Sequence, residues 1–393
     1  MKIYEIGTGY TPIPAQISAA TEIIIEDLSH AFLKQGIDVS VIDIKAVNRV
    51  KTDLDIIEVP VFKCFCGTDV SLGIMHKLKR VIYSVNLALK IKKILKAAEE
   101  KVVLHFHNQY NMFFFLMLVS KKIREKCITA YTNHNGIWRM NWKDAEPIIK
   151  KRYFQETVAL KKADMIFALN KETKDNIINY LKVDDSKISV LYNGVNVEKY
   201  CPFSAEEISA AKQSFNIQDK IMILQVGSVC ENKGQLRSLE LLLPLLKTHK
   251  NLIFGYAGGI IEEEYQTKIH EFAVKNGISE KVKYFGMVNP AKDLPTLYNL
   301  AAATIFPSVY EAFGLVTIES LSCAVPVFCD ENAVFRFGDG CIYYSKENFV
   351  EIFKEALFND KNLKTLKESA RKNAVENYSW EKVSSDYLNF INV

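Results

Sequence analysis

The feature that most constrains this 393-residue chain is a repeating order of short apolar runs and amphipathic helices. Lys2-Ile-Tyr-Glu-Ile-Gly7 reads as a strand, followed by a loop holding Gly7, Gly9, Pro12 and Pro14. From Ser18 to Gln35 apolar side chains recur at helical spacing, Gly36 stops the helix, and Val39 to Asp43 returns as a strand. The pattern repeats with a long helix over 76–100 and strands at 102–106, near 127–133 and at 164–169. Strands that are apolar throughout have no polar face to give to water. They belong in a parallel, doubly wound sheet with helices on both faces.

A second start follows. Asp219 to Gly227 is again an apolar strand running into a loop, followed by a helix at 235–248, strands at 252–258 and 282–286, a helix at 294–302, the strand Thr304-Ile-Phe306 and a helix from about 315. Two α/β domains of similar size therefore stand in tandem, joined near Asn193-Gly194-Val195-Asn196, where two turn formers close the first. With 49% hydrophobic and 24% charged residues, both can build cores, and a disordered or fibrous chain is excluded. The net charge of +4 conceals an asymmetry: residues 1–200 carry 30 basic and 22 acidic side chains, and residues 201–393 carry 20 and 24. Something anionic is expected to approach the first half.

Eight cysteines form no ligand framework, since the one close pair, Cys64-Phe65-Cys66, has the wrong spacing for a zinc knuckle. Free thiols fit a reducing compartment. Glu5 interrupts any signal-peptide core, and the apolar run Met112 to Val119 is too short to span a bilayer. These features lead us to expect a cytoplasmic protein, with peripheral contact on the inner face of the membrane.

The strongest chemical signal runs from Pro307 to Glu319. Glu311 sits in the loop at a strand's end and Glu319 lies eight positions on, within the following helix. Between them Gly314 lets backbone approach a ligand, and free N–H groups at 314–317 with the helix dipole suit a phosphate. Either glutamate alone would read as an ordinary surface residue.

Continued through Ala324-Val-Pro326, the stretch resembles the E-x(7)-E signature of retaining glycosyltransferases of family 4, which have the GT-B fold. Val190-Leu-Tyr-Asn193-Gly194-Val195-Asn196 resembles that family's domain-end segment, with Asn196 where Asp is usual, and Tyr378-Ser-Trp380-Glu381 resembles the entry to its last helix. The resemblance implies two Rossmann-like domains around an interdomain cleft: residues 1–196, with a C-terminal helix over about 379–393 crossing back, and residues 197–378, which hold the nucleotide-sugar. It implies that Glu319 binds ribose hydroxyls and Glu311 a hydroxyl of the transferred sugar. The backbone at Phe313, Gly314, Leu315 and Val316 would serve the sugar and diphosphate. The base would lie near Met287 and Val288, after Gly286.

Lys233, in the loop after the second domain's first strand, can place a point charge on the leaving diphosphate. The family usually has Gly-Arg where this chain has Gly227-Ser228, which removes a planar cation from the donor site, and Arg237 is the candidate replacement. The family's Gly-Gly-Ala-Glu appears as Ala19-Ala-Thr-Glu22, so the flexible approach to the diphosphate shifts to Gly7 or Gly9, and Glu22 reads as helix-start electrostatics. His105, His107 and His134 end strands on the carboxyl edge, and the resemblance seats His134 against the transferred sugar. No Asp or Glu joins them at ligand spacing, and no metal is expected.

Asp53-Leu-Asp55 imitates the metal-binding DxD of another transferase fold but reads as a surface edge. The basic stretch 76–96 combines cations with Leu78, Ile82, Leu87, Ile91 and Leu95. It reads either as a helix covering the sheet or as one resting on anionic lipid. Nucleic acid is not expected, because no stacking aromatics are interleaved with the cations. A dehydrogenase reading from Gly7-Thr-Gly9 and Asp43 fails at Pro12, where a third glycine is needed. The remaining rival is a non-catalytic GT-B relative acting as a partner subunit. The expectation is a metal-independent, cofactor-free hexosyltransferase. It moves a hexose or N-acetylhexosamine from a nucleoside diphosphate sugar, UDP preferred, with retention, to a saccharide, lipid-linked or small-molecule acceptor in polysaccharide or glycolipid synthesis.

Overall fold

Among the described residues thirteen strands form two wholly parallel sheets. A computed structural model describes residues 1–15, 19–62, 74–288, 293–308, 311, 313–332 and 335–391. Cys64-Phe65-Cys66, the helix start at Ser18, and Val309, Tyr310 and Ala312 of the glutamate stretch lie outside the described residues. The chain divides into two units, Met1–Gly194 with Trp380–Val393, and Val195–Ser379.

In the first unit β1 (Ile3–Ile6), β2 (Val39–Ile44), β3 (Asp55–Val59), β4 (Val102–Phe106), β5 (Cys127–Asn133), β6 (Met165–Ala168) and β7 (Ile188–Val190) lie in the order β3-β2-β1-β4-β5-β6-β7. In the second, β8 (Ile221–Val226), β9 (Leu252–Ala257), β10 (Val282–Tyr284), β11 (Ala301–Phe306), β12 (Val327–Asp330) and β13 (Cys341–Tyr344) lie in the order β10-β9-β8-β11-β12-β13. Each sheet begins in its middle, grows one way, then returns to the other side of its first strand. The reversals fall between β1 and β4 and between β8 and β11, and at such points the loops beyond the strands' carboxyl ends diverge and leave a crevice.

β1, β2 and β4 are buried along their whole length, as strands with helices on both faces must be. β3 is the edge strand that the sequence showed only as Asp53-Leu-Asp55; its mixed polarity follows from its outer position, and Asp55 accepts from Ser40 Oγ at 2.5 Å. The helix expected over 294–302 ends at Leu300 instead, because Ala301 and Ala303 pair with Met222 and Ile223 of β8. The helix Trp380–Ile391 packs on the first unit: Trp380 Nε1 donates to Asp27 Oδ2 at 3.1 Å, and Tyr387 lies against Phe32 and Phe167. Gly194 is required there, since a Cβ would come within 2.3 Å of the Trp380 ring.

Candidate functional site

In the second unit the reversal point brings together residues from two loops. Lys233 follows β8, and its ammonium donates to Glu311 Oε1 in the loop after β11. The same carboxylate oxygen accepts from Ser308 Oγ at 2.7 Å. The Lys233 carbonyl is fixed by Gln225 Nε2 at 2.7 Å, and its side-chain stem runs beside Gly227. Gly314 then caps the helix Leu315–Ser322 with a φ of 106°, a left-handed conformation that an L side chain would strain. A Cβ there would also lie 3.0 Å from the Phe306 ring.

The N–H groups expected to be free over 314–317 are fewer than the sequence suggested. Thr317 N donates to Gly314 O at 3.0 Å, so a tight first turn consumes one of them and leaves the amides of Leu315 and Val316 at the helix start. Glu319 stands one turn further in, and its Oε2 accepts from the buried Tyr298 hydroxyl at 2.8 Å. Phe313 is buried against Phe335 and Phe337, leaving its backbone as the part that can serve a ligand.

Ser228 sits where the chain bends after β8, with its carbonyl held by Gln235 Nε2 at 3.0 Å. Arg237, the candidate replacement for the missing arginine, packs over Gly234 and donates to the Asn232 carbonyl at 3.5 Å. Gly258 lies against the Gly227 carbonyl, and its own N–H bonds Gly286 O at 2.9 Å, so glycines draw the ends of β8, β9 and β10 together. Beyond Gly286, Met287 is 77% exposed, with Val288 next to it. An exposed thioether beside a glycine-lined edge suits a flat ring.

The first unit carries a second constellation at its own reversal point. Glu5 of β1 lies in register with His105 of β4, and both are wholly buried. His105 Nδ1 lies 2.8 Å from Glu5 Oε1, His107 Nε2 lies 2.7 Å from Oε2, and His107 Nδ1 lies 2.9 Å from His134 Nε2. Burial would raise the Glu5 pKa, but the two histidines outweigh it and hold it at about 2. This corrects the expectation that no carboxylate joins the histidines. Glu5 does, from a strand 100 residues away, and its oxygens and the facing ring nitrogens lie within 4.8 Å of one another. That spacing could hold a cation, yet both oxygens already accept from the rings.

His134 follows β5, and its loop is fixed by Glu156, which the sequence did not single out. The buried Glu156 carboxylate accepts from Asn133 Nδ2 at 2.8 Å, Tyr131 Oη at 3.0 Å, and Asn135 Nδ2 and Trp138 Nε1 at 3.1 Å. Gly9 has a φ of 81° and lies on the Tyr83 ring, where a Cβ would come within 2.1 Å, so packing already requires a glycine there. Glu22 is also corrected. It stands in the first turn of the helix Ala20–Lys34, but as a buried carboxyl in contact with Thr8 Oγ1, and burial pushes its pKa to about 7. Asp43, the ribose ligand of the dehydrogenase reading, is sealed in by Ile13 N at 2.8 Å and Arg49 at 2.7 Å.

On the long helix Ile74–Ala97, two basic residues turn inward: Lys79 donates to the Tyr10 carbonyl at 2.9 Å, and Arg80 stacks on Tyr110. Leu78, expected in the buried stripe with Leu87, Ile91 and Leu95, is 46% exposed. Among the described residues no helix is long and apolar enough to cross a membrane.

Residues 21–199 match the family model described as Glycosyltransferase Family 4, and residues 207–373 match that of Glycosyl transferases group 1. An uncharacterised glycosyltransferase of Methanocaldococcus jannaschii is 25% identical over 57% of this chain and 58% of its own, so the chain spans less than two thirds of that relative. The N-acetylgalactosamine-N,N'-diacetylbacillosaminyl-diphospho-undecaprenol 4-alpha-N-acetylgalactosaminyltransferase of Campylobacter jejuni is 26% identical over 78% of this chain and 80% of its own. Among solved structures, Anabaena HepE in complex with UDP aligns over all of both chains with a TM-score of 0.73 at 13% identity, a likeness of fold.

Proposed function

We propose, from the two glycosyltransferase family models that match its two halves, that this chain is a GT-B glycosyltransferase of the family 4 kind and transfers a hexose or N-acetylhexosamine from a nucleoside diphosphate sugar, UDP preferred, to an acceptor hydroxyl with retention. The observation that carries this reading is the meeting of Lys233, Ser308 and Glu311 at the reversal point of the second sheet, beside the start of the helix Leu315–Ser322.

Lys233 and the amides of Leu315 and Val316 neutralise the charge that develops on the leaving diphosphate, a task that requires no metal. Glu311, held by Ser308 and Lys233, orients a hydroxyl of the transferred sugar. Glu319 takes the ribose hydroxyls, with Tyr298 fixing its carboxylate. His134 takes its role toward the transferred sugar from the sequence resemblance alone. The departing phosphate oxygen accepts the acceptor's proton, so no protein base is assigned. The relative whose name includes diphospho-undecaprenol favours a lipid-linked acceptor. On the helix Ile74–Ala97, exposed Ile74, Met75, Leu78 and Val81 beside Lys77 fit contact with an anionic lipid surface.

Nucleoside diphosphate release from a panel of UDP-, GDP- and ADP-sugars, run with and without EDTA, tests the reading. Release from one sugar class, unchanged by EDTA, is expected, and release from none of them supports the partner-subunit alternative. Glu311→Gln should lower turnover by at least about a hundredfold with UDP binding kept, and Lys233→Ala should weaken UDP binding by about tenfold.

A further inference from the structure

We propose that Glu5 and His107 are positioning residues that hold His134 in a single tautomer, Nε2 protonated and Nδ1 bare, so that the ring can only accept a hydrogen bond from a hydroxyl of the transferred sugar. The inference deepens the proposed function and rests on its reading of His134 as a sugar contact; the chain of hydrogen bonds behind the ring stands independently of it.

The polarity follows link by link. Glu5 is wholly buried and each of its oxygens meets one ring nitrogen, at 2.8 Å from His105 and 2.7 Å from His107. An ionised carboxylate accepts and cannot donate, so His107 Nε2 carries a proton. Burial, and after it the neighbouring His105, lower the His107 pKa to about 4, so near neutral pH the ring holds no second proton. Its Nδ1 is therefore a lone pair. His134 Nε2 lies 2.9 Å from that lone pair, and two lone pairs do not bond, so the proton between the rings belongs to His134. Burial, then His107 and His105, keep His134 well below the usual histidine range, so its other nitrogen is bare.

The backbone beneath His134 is fixed from the opposite side. Glu156 gathers Asn133, Asn135 and Trp138 on one carboxylate, which leaves the His134 ring little freedom to leave His107. A neutral lone pair at Nδ1 attracts O–H or N–H and repels carboxylate or phosphate oxygen. The arrangement therefore selects a hydroxyl-bearing sugar over one with an anionic group at that position, without placing a charge in the site.

The test uses the full chain labelled with ¹⁵N-histidine, its His134 signals assigned by their loss in His134→Gln. Long-range ¹H–¹⁵N spectra of the wild type should show His134 protonated at Nε2 alone; protonation at Nδ1 overturns the proposal even if no His107 variant folds. His107→Leu removes the acceptor and should give a mixture of tautomers, whereas in His107→Gln the amide can donate to Glu5 and accept from His134 and should restore one. An unchanged His134 tautomer in His107→Leu overturns the relay. With donors fluorinated singly at each sugar position, one substitution should lower wild-type kcat/KM about tenfold and the His107→Leu value hardly at all, UDP affinity being the same in both. Equal sensitivity in the two proteins overturns the hydroxyl assignment. Absence of release from every donor sinks the proposed transfer instead, and the tautomer result still stands.

Discussion

Glu22 changes its meaning once burial is known. In sequence it stands at a helix start, where a carboxylate complements the dipole, but in the fold it is 3% exposed and its pKa rises to about 7. A carboxyl whose folded pKa lies above its unfolded value stabilises fully below about 4.5, and that contribution is lost as pH rises through about 7. Glu22→Gln, which is neutral at every pH, should raise the melting temperature at pH 8 but hardly at pH 5. The difference corresponds to about 3 kcal/mol, and thermal unfolding at the two pH values measures it. His107 works in the opposite sense, since its pKa is lowered to about 4 and stability is lost as pH falls from about 6.5 towards that value. Glu5 left a legible mark: a charge among Ile3, Tyr4 and Ile6 in a strand buried on both faces demands a partner. Its partner was not legible, because β4 meets β1 only in the folded sheet.

Among elements, the helix Leu315–Ser322 depends most on its first turn. Gly314 combines a φ of 106° with the Phe306 and Phe337 rings at 3.0 and 3.2 Å from where a Cβ would stand. Gly314→Ala should therefore cost about 1–3 kcal/mol and weaken UDP binding with it, read by denaturant unfolding and calorimetry; wild-type values for both would show that the turn tolerates a side chain. The strands were legible wherever apolar runs are long, as at β1, β4, β8 and β9. The short edge strands β3, β7 and β13 are only partly buried, and a half-buried strand of three to five residues leaves a weak pattern, although β10, just as short, was read at 282–286. The expected helix over 294–302 lost its last residues for the opposite reason. Alanine favours helix, and pairing of Ala301 and Ala303 with β8 outweighs that preference.

Across the whole molecule, the +8 of residues 1–200 acts as a field as well as a set of contacts, because Lys79, Arg80 and Arg49 are consumed internally while Lys77, Lys93 and Lys96 remain exposed. Vesicles rich in anionic lipid should co-sediment with the protein at low salt and release it as ionic strength rises. Replacing exposed Ile74 and Met75 with Asp should weaken that binding several-fold, and equal sedimentation of the two proteins would leave the charge without a lipid role. By itself the sequence determined the alternating strands and helices, the two starts, and the placing of Glu311, Lys233 and His134 beside strand ends and of Glu319 in the following helix, because hydrophobic period and motif spacing are local. Only the tertiary structure decided the partners: Lys233 with Glu311, Tyr298 with Glu319, Glu5 with the histidines, Glu156 with the His134 loop. Those pairs are 18 to 102 residues apart and meet through crossovers of the sheets, a geometry that no run of neighbouring residues encodes.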